Sequence, residues 1–480
     1  MAIYRIFFAG IRWNAFSAAY SVLIGLVQVA ILARFLSPSD FAVVALIGTI
    51  VNLCMQLQST GINTAIIQST NITNHNLSSL FWLNIAFSVF FFFASLIVGW
   101  GISIFYKLST MSNIIFLYSG LLLVQAFSVQ YKTILQKKLD FQILSIAEIA
   151  GVTAGFIFAL VAAINDLGAL ALIGSYICRS TIEGIVLTRR GITHFKPTFY
   201  FNRTEIKPYV QFGKLHIAER IITYFSSQID LLIIGKLLGV HDLGVYDLFK
   251  RVLIRPFQLI GDIFEKTLLP FFSKYQNYPA VHRIFFINLL SNISTLVFPV
   301  VALLIVFAKP LINIYFGNDF SDYSIIFQLL VLFCLIHTFL NPIDTLLIAK
   351  VKIRLWLYMN IIFSIMSFVF LSIGAQFGLL GLLIAYLIAN FIFFLTSYFW
   401  IILPLIRSNW LQLLIKISFP FFLTIIAIIP AICLIVAWNG NNNILINSAG
   451  IIIFGLCYVV LNLRFNHKII IVIKKMIHRK

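Results

Sequence analysis

The sequence predicts an all-α protein that crosses a lipid bilayer many times. Of its 480 residues, 61% are hydrophobic and 10% are charged, whereas a soluble domain is about 45–50% apolar and about 25% charged. The apolar residues also form long continuous runs, each near the ~20 residues that a membrane-spanning helix requires. We therefore expect lipid rather than water to surround most of the chain.

Fourteen apolar segments have the length and composition of membrane-spanning helices. In chain order, we predict these spans at 13–35, 41–66, 80–106, 113–135, 141–164, 167–188, 211–238, 243–272, 284–308, 323–349, 355–374, 378–403, 415–437 and 443–463. An even number of spans places both ends of the chain on the same side of the membrane.

Basic residues in the connecting segments predict which side that is. If both termini are cytoplasmic, the cytoplasmic segments hold 22 of the 34 Lys and Arg residues and the opposite loops hold three. Cytoplasmic loops of membrane proteins carry such an excess of Lys and Arg. We therefore predict a multi-pass protein with both termini in the cytoplasm.

The excess of Lys and Arg in cytoplasmic segments also explains the net charge of +19. No basic block stands in a soluble domain, so we expect no nucleic acid partner. The basic tail at 464–480 is expected either to lie on anionic membrane lipids or to act only as an orientation anchor. The sequence lacks the GxxxxGKS/T, GxGxxG, HExxH and GxSxG signatures, so we expect neither a nucleotide site nor a catalytic set.

Two stretches of the chain are similar at an offset of 202 residues. Residues 31–46 (ILARFLSPSDFAVVAL) and 233–248 (IIGKLLGVHDLGVYDL) align without a gap, with Asp40 on Asp242. An aligned acid is informative because Asp and Glu together number only 15 in the chain. The match predicts a parallel repeat of the kind that builds transporters from two six-helix lobes around a midplane site.

Both copies of the repeat carry polar faces on their first two spans. In the first copy these faces are neutral and consist of Asn14, Ser17, Ser21, Gln28, Thr49, Gln56, Thr60 and Asn63. In the second copy they are largely charged and consist of His216, Glu219, Thr223, Asp230, Arg251, Gln258, Asp262 and Glu265. A charge at the bilayer centre costs about 2.5–3.5 kcal/mol, so charged faces are expected to line a cavity.

Span 8 holds a dense set of membrane charges. Its polar stripe runs from 247 to 266, a rise of about 28 Å that matches the thickness of the hydrocarbon core. Asp247 with Arg251 has the i, i+4 spacing of a helical ion pair, as has Asp262 with Lys266, whereas Arg255 has no such partner on its own helix. We therefore favour a hydrated cavity over a stripe of purely internal ion pairs.

Spans 5 and 6 carry a smaller group of charges. Arg179 and Glu183 have i, i+4 spacing and are predicted to form an ion pair on span 6, whereas Glu148 stands alone on span 5. A ridge of small residues on span 5 predicts close helix packing at Ala147, Gly151 and Gly155.

Three stretches of the chain carry a family resemblance. They are 32–46 (LARFLSPSDFAVVAL), 77–84 (LSSLFWLN) and a long run from 212–258 to 268–276 (LLPFFSKYQ). These stretches resemble the polysaccharide transporter family of the multidrug/oligosaccharidyl-lipid/polysaccharide (MOP) exporter superfamily, the Wzx-type flippases. The residues that fall where that family has the same type are Tyr246, Arg251, Pro256, Pro270 and Ser273. Around them, this chain departs from the family by adding charge at Asp247, Lys250, Arg255, Asp262 and Glu265.

The resemblance implies two pseudo-symmetric six-helix lobes that face each other as a V, followed by two C-terminal helices. The corresponding boundaries are 1–190 for the N-lobe (helices 1–6), 191–210 for a cytoplasmic linker, 211–408 for the C-lobe (helices 7–12) and 409–480 for helices 13–14 and the basic cytoplasmic tail. It also implies the flipping of an undecaprenyl-pyrophosphate-linked oligosaccharide, an O-antigen or other surface polysaccharide repeat unit. Flipping by alternating access would carry this substrate from the cytoplasmic to the outer face of the bacterial inner membrane. The other expected partners are membrane lipids and polysaccharide assembly proteins.

Three other functions remain open for such a chain. A multidrug or cation antiporter of the same superfamily is the main alternative, although it favours an acidic cavity and spans 7 and 8 hold seven bases against five acids. A glycan polymerase or ligase would carry a large external loop, which the predicted layout lacks. A scaffold would not need a polar stripe across the membrane. We therefore expect a transporter and not an enzyme.

The charged residues of spans 7 and 8 are the predicted substrate and ion sites. Arg251 and Arg255, one turn apart on one face, are predicted to bind the pyrophosphate because forked guanidinium donors suit phosphate oxygens. The alternative is that Asp247 neutralises Arg251 while Arg255 either extends to the membrane surface or pairs with Asp230. The other substrate-binding candidates are Lys250, Arg220, Lys214, His216 and, for sugar hydroxyls, Asn14, Gln28 and Gln56. The candidates for a coupling ion, H⁺ or Na⁺, are Glu219, Asp230, Asp247 and Asp262. We expect no other cofactor and no bound metal cluster.

Overall fold

The described part of the chain consists mainly of long helices. A computed structural model describes residues 2–69, 72–106, 111–274, 279–349, 353–437 and 444–465. The helices are α1 (Ala2–Phe35), α2 (Pro38–Gln68), α3 (Asn74–Phe105), α4 (Met111–Lys137), α5 (Phe141–Ile164), α6 (Ala169–Gly191), α7 (Arg203–Leu237), α8 (Val240–Lys274), α9 (Pro279–Val306), α10 (Ala308–Tyr315), α11 (Ser324–Ala349), α12 (Ile353–Gly374), α13 (Gly378–Thr396), α14 (Leu403–Ile406), α15 (Trp410–Ala437) and α16 (Ile444–Phe465). No β-strand occurs among the described residues, so the predicted all-α class is confirmed.

The helices have the length and composition of a multi-pass membrane protein. Within the described ranges, 11 stretches are apolar and long enough to cross a membrane. One of them, Leu355–Ile406, holds both α12 and α13, while α7 and α8 are outside this set although each has 35 residues. A helix of that length extends about 52 Å and exceeds the hydrocarbon core. Among the described residues, each predicted span falls largely on helical chain, but the number fourteen is not confirmed.

The helix boundaries recur at the offset predicted for the repeat. α1 and α7 end at Phe35 and Leu237, and α2 and α8 begin at Pro38 and Val240, so both boundaries recur after 202 residues. Each copy therefore bends at the equivalent residue. The neutral and charged polar faces occupy equivalent positions along equivalent helices.

The chain divides into two compact units. The first unit comprises Met1–Leu248 and Asn360–Phe368, and the second comprises Phe249–Met359 and Val369–Lys480. The division falls inside α8, so the first turns of this helix belong to the first unit and the rest to the second. The lobe and linker boundaries expected from the sequence stay predictions.

Small residues bring α5 close to α6 in the first unit. A Cβ atom on Gly151 would lie 2.8 Å from the carbonyl oxygen of Arg179, and one on Gly155 would lie 2.7 Å from that of Ser175. Ala147, one turn earlier, is fully buried. A larger side chain would push the two backbones apart, so the predicted packing ridge is confirmed.

The connection between α6 and α7 is held against the start of α3. Trp82 Nε1 donates a hydrogen bond to the carbonyl oxygen of Thr198 (2.9 Å), and Thr198 Oγ1 donates to Ser78 Oγ (3.0 Å). The N–H of Asn202 donates to Ser79 Oγ (3.1 Å), and the Asn202 side chain caps the first turn of α7. These bonds set the residue at which α7 begins.

The second unit has its own apolar core. Phe307, at the junction of α9 and α10, is fully buried in a cluster that includes Ala431 of α15 and Phe454 of α16. Tyr458 Oη donates a hydrogen bond to the carbonyl oxygen of Thr295 (2.7 Å), which ties α16 to α9. The last two long helices, α15 and α16, therefore pack against α9 within the second unit.

Candidate functional site

In the first unit, the second half of α7 packs along α2 and the end of α3. Tyr224 Oη donates a hydrogen bond to the carbonyl oxygen of Thr49 (2.6 Å). Lys236 Nζ donates to the carbonyl oxygen of Phe105 (3.0 Å) and lies 3.6 Å from the centroid of its ring. These contacts join the first helix of the second repeat copy to helices that precede it by more than a hundred residues.

The two repeat corners also meet, at Gly244 and Pro38. A Cβ atom on Gly244 would overlap the carbonyl oxygen of Pro38, so the start of α8 needs glycine at this point. The equivalent position in the first copy is Ala42, which is fully buried. The start of α8 is therefore pressed directly against the start of α2.

A buried carboxylate stands on α7 close to the start of α8. Asp230 is only 1% exposed. Tyr246 Oη donates a hydrogen bond to its Oδ2, and the N–H of Leu231 donates to its Oδ1 (2.9 Å). Tyr246 is fully buried and its neighbour Asp247 is also buried. Two of the predicted ion-coupling residues therefore lie in the buried interior of the first unit, on neighbouring helices.

Along α8, the polar stripe passes from buried to exposed positions. Asp247 is buried, Arg251 is half-buried and Arg255 is exposed, each one helical turn after the last. Lys250 is half-buried beside Arg251. Because α8 is continuous, the rise from Arg251 to Arg255 is about 6 Å and both guanidinium groups lie on one face. That spacing allows two forked donors to contact one pyrophosphate.

Five predicted site residues lie outside the side chains that the structure describes. They are Lys214, His216, Glu219, Arg220 and Asp262. Their roles in substrate or ion binding stay predictions. Among the described residues, no group of three or more His, Cys, Asp or Glu side chains is arranged to hold a metal ion.

The neutral face of α1 contacts α5 and α6 within the first unit. Asn14 Oδ1 accepts a hydrogen bond from Ser145 Oγ (3.4 Å), and Gln28 Nε2 donates to Ser175 Oγ (3.3 Å). Gln56, on α2, is half-buried. The proposed contacts of these three amides with sugar hydroxyls stay predictions, and two of the amides already hold neighbouring helices together.

The charges of α5 and α6 pair between helices rather than along one helix. Glu148 Oε1 accepts a hydrogen bond from Ser21 Oγ of α1 (3.0 Å) and lies 3.9 Å from Arg179 Nη2. Glu183 Oε1 instead accepts from Lys132 Nζ of α4 at 2.8 Å. The predicted Arg179–Glu183 pair is therefore wrong, and Glu148, the one charged residue of span 5, lies near a charge on α6. Helix packing brings each charge a partner from another helix.

A polar cleft of about 420 Å³ opens between the C-terminal halves of α2, α4 and α6. Its main polar groups belong to Asn63, Gln125, Lys132, Gln136, Ser180 and Glu183. Gln125 Nε2 donates a hydrogen bond to Ser180 Oγ (3.1 Å), which joins two of the walls. A second cleft of about 550 Å³ between α4 and α6 is lined mainly by apolar groups such as Val124 and Phe127. The two clefts thus differ sharply in chemistry.

Sequence reasoning did not assign the polar cleft. Glu183 was expected to pair with Arg179 on its own helix, and its actual pairing with Lys132 depends on which helices are neighbours. The available signal was the helical spacing of Gln125, Lys132 and Gln136 on one segment. That spacing marks a polar face, but it does not reveal which other helices complete a site.

Comparison with known proteins shows several relatives. The chain is 29% identical over 416 residues to an uncharacterized membrane protein in the cps region of Klebsiella pneumoniae, covering 86% of both chains. It is 26% identical over 434 residues to the lipopolysaccharide biosynthesis protein WzxC of Escherichia coli strain K12, covering 90% of this chain and 88% of WzxC.

A solved structure with a similar fold is the lipid II flippase MurJ in an inward closed conformation. The TM-score is 0.70 at 16% identity, and the match covers 96% of this chain and 100% of that one. This likeness shows that the two chains share a fold. Residues 31–325, which span both repeat corners, the arginines of α8 and the polar cleft, match the family described as Polysaccharide biosynthesis protein. With more than half of its length matched, the chain belongs to this family of polysaccharide biosynthesis proteins.

Proposed function

We propose that the protein translocates a lipid-linked oligosaccharide across the bacterial inner membrane, from the cytoplasmic to the outer face. The substrate is a surface polysaccharide repeat unit, such as an O-antigen unit, attached to undecaprenyl pyrophosphate. Family membership, the multi-pass helical fold and the likeness to WzxC support a role in moving a polysaccharide precursor. The protein is then a transporter that works by alternating access, with both termini in the cytoplasm.

The observation that carries this proposal is the pair of arginines on consecutive turns of α8. A pyrophosphate presents several anionic oxygens, and planar guanidinium groups can donate two hydrogen bonds each to such oxygens. Arg251 is half-buried and Arg255 is exposed, so one can hold the phosphate while the other remains accessible for capture. Hydrogen bonds to charged groups contribute about 1.5–3 kcal/mol each, which gives the pair a large share of the affinity.

Asp247 supplies the counter-charge when no substrate is bound. It stands one turn before Arg251 on the same face of α8 and is buried. An unpaired charge in the membrane is unfavourable, so the arginine needs an anionic neighbour in the empty transporter. The pyrophosphate competes with that carboxylate when it binds. Lys250 adds a further positive charge beside the same turn.

A coupling ion, H⁺ or Na⁺, is proposed to bind at Asp230 or Asp247. Asp230 is buried and receives hydrogen bonds from Tyr246 and from a backbone N–H. Binding of either cation would neutralise the charge of the carboxylate. Both acids adjoin the corner where α7, α8 and α2 meet, so their charge state can influence how those helices pack.

The experiment is complementation of a strain in which the gene has been deleted. The strain is expected to lose its surface polysaccharide and to accumulate the lipid-linked repeat unit on the cytoplasmic leaflet. Wild-type protein should restore the polymer, Arg251→Lys and Arg255→Lys should restore it poorly, and the double alanine variant should not restore it. Arg203→Ala removes an exposed arginine at the start of α7 and serves as the matched control.

Protein amounts in the membrane must be equal for these comparisons. Full surface polymer with the double alanine variant would disprove the role of the arginines. Unchanged polymer in the deletion strain itself would disprove the proposed function. For ion coupling, Asp230→Asn should alter the dependence of flipping on pH or Na⁺, and unaltered dependence would exclude Asp230.

A further inference from the structure

The polar cleft of the first unit has the chemistry of a carbohydrate site. Its polar groups include three side-chain amides, from Asn63, Gln125 and Gln136, and the hydroxyl of Ser180. Amides both donate and accept hydrogen bonds, and so do sugar hydroxyls. A volume of about 420 Å³ lies within the range of small-molecule sites and suits about two sugar rings.

The charges in the cleft balance each other. Lys132 Nζ and Glu183 Oε1 lie 2.8 Å apart, so the pair presents one cation and one anion with no net charge. A phosphate or an acidic sugar would gain from the lysine but would be repelled by the adjacent glutamate. An uncharged ring can accept a hydrogen bond from the lysine and donate one to the glutamate at the same time.

One hydrogen-bonding atom at the wall of the cleft lacks a partner among the described residues. Asn63 Oδ1 is buried and has no hydrogen-bond partner among the described residues. Buried polar atoms are rarely left unsatisfied, because each costs about 1–3 kcal/mol. If the amide turned toward the cleft, a hydroxyl group bound there would supply the missing donor.

The neighbouring cleft shows that this polarity is not a general property of α4 and α6. Ser180 and Thr181 are adjacent on α6, yet Ser180 lines the polar cleft and Thr181 lines the apolar one. The apolar cleft carries Phe127, which is 56% exposed and suits contact with lipid. The side-chain amides and the Lys132–Glu183 pair are therefore gathered on one side of the helix pair.

We propose that the polar cleft binds the uncharged sugar rings of the transported glycan, through Asn63, Gln125 and the Lys132–Glu183 pair. This inference rests on the proposed function and adds a second contact region to the arginines of α8. The cleft lies toward the C-terminal ends of α2, α4 and α6, which the sequence predicts to be cytoplasmic. It would then receive the sugars on the side where the glycan is assembled.

The test uses full-length protein in lipid nanodiscs and saturation-transfer NMR. The probes are the methyl glycosides of glucose, galactose and N-acetylglucosamine, with methyl glucuronide as the acidic sugar and glycerol as the blank. We expect saturation transfer from wild-type protein to at least one neutral glycoside and less to the glucuronide. Asn63→Leu and Gln125→Leu should weaken the neutral signal about three- to tenfold, the effect of losing one hydrogen bond.

Glu183→Gln gives a result that a purely structural role would not produce. This change leaves Lys132 without its anionic partner, so binding of the neutral glycosides should fall and binding of the glucuronide should rise. Thr181→Val, on the same helix but in the apolar cleft, is the matched control and should bind as wild type. Variants are compared only at equal thermal stability, and Lys132→Gln replaces Glu183→Gln if the latter does not fold, with the expectation that glucuronide binding then falls.

Three results would overturn the inference. They are the absence of saturation transfer from every neutral glycoside, a neutral signal unchanged in both Asn63→Leu and Gln125→Leu, and a wild-type preference for the glucuronide. Flipping of the lipid-linked glycan by the same preparations in proteoliposomes tests the proposed function separately. Flipping by wild type without cleft-dependent sugar binding refutes the inference alone, whereas cleft-dependent binding without flipping refutes the proposed function alone.

Discussion

The helix pairs α1–α2 and α7–α8 have the same helix boundaries, but their polar faces make different contacts. Their boundaries recur after 202 residues. In the first pair, Asn14 and Gln28 make hydrogen bonds to α5 and α6 inside the first unit. In the second pair, Asp230 is buried while Arg251 and Arg255 become progressively exposed along α8. The neutral face thus joins helices of the bundle by hydrogen bonds. The charged face instead leaves its arginines accessible for the proposed binding of substrate.

The largest effect is expected when a charged residue of α8 is placed at the equivalent position of α2. Thr49 is the repeat equivalent of Arg251, and it is buried with its hydroxyl bonded to the carbonyl oxygen of Ala45 (2.9 Å). Thr49→Arg buries a cation without an anionic partner, which costs about 3–5 kcal/mol. We expect little or no folded protein in the membrane, measured by fluorescence-detected size exclusion.

Thr49→Ser is the control for that change, because it keeps the hydroxyl group. It should give a normal elution profile. A stable, monodisperse Thr49→Arg protein would show that α2 tolerates the charge of α8, and the distinction between the two pairs would fail.

The reverse exchange should spare the fold and damage transport. Arg251→Thr gives α8 the residue that α2 carries at the equivalent position. Because Arg251 is half-buried rather than enclosed, we expect a folded protein. Loss of a charged hydrogen bond of about 1.5–3 kcal/mol should lower flipping about 10- to 100-fold. Flipping is measured in proteoliposomes, with Arg203→Ala as the control, and a wild-type rate would contradict the prediction.

A smaller effect is expected where the two repeat corners touch. Gly244→Ala adds a methyl group against the carbonyl oxygen of Pro38, although its repeat equivalent is already an alanine, Ala42. Overpacking of this kind costs about 1–3 kcal/mol, so the melting temperature should fall by several degrees. Gly25→Ala, on α1 with no atom within 4 Å of the added group, should not lower it. Equal melting temperatures would mean that the corners are not in contact.

The smallest effect concerns pH at the connection between the two repeat copies. His194 Nδ1 lies 3.0 Å from Lys138 Nζ. Burial, together with the positive charges of Lys138 and Arg190, lowers the pKa of His194 below its ordinary 6.5, and Asp140 opposes the shift. The folded chain therefore binds fewer protons than the unfolded chain near that pH. Stability should fall as the pH drops below 6.5 and level off once the folded imidazole is protonated.

The measurement is the melting temperature of the purified protein at several pH values between mildly alkaline and mildly acidic. His194→Gln should remove the part of the decrease that is centred near the histidine pKa. An identical pH profile for the variant and the wild type would assign the decrease to other groups.

The placement of the α8 arginines on one helix face could be predicted from the sequence because the evidence for it is local. The arginines of α8 were found because a helical repeat of four residues sets their face and spacing without reference to other helices. The burial of Asp230 and its bond to Tyr246 were not predictable, since these residues are 16 positions apart on different helices. The polar cleft was missed for the same reason.

The sequence by itself determined the helical membrane class, the approximate position of each long helix and the common boundaries of the two repeat copies. Apolar runs and polar periodicity are properties of neighbouring residues, so they can be read along the chain. Only the tertiary structure decided that Glu183 pairs with Lys132 and that Glu148 lies near Arg179. The spacing of Arg179 and Glu183 allowed a pair within α6. However, α4 and α5 each pack against α6, so each of these charges has a partner on another helix. Which helices become neighbours depends on packing between distant segments, and local spacing does not contain that information.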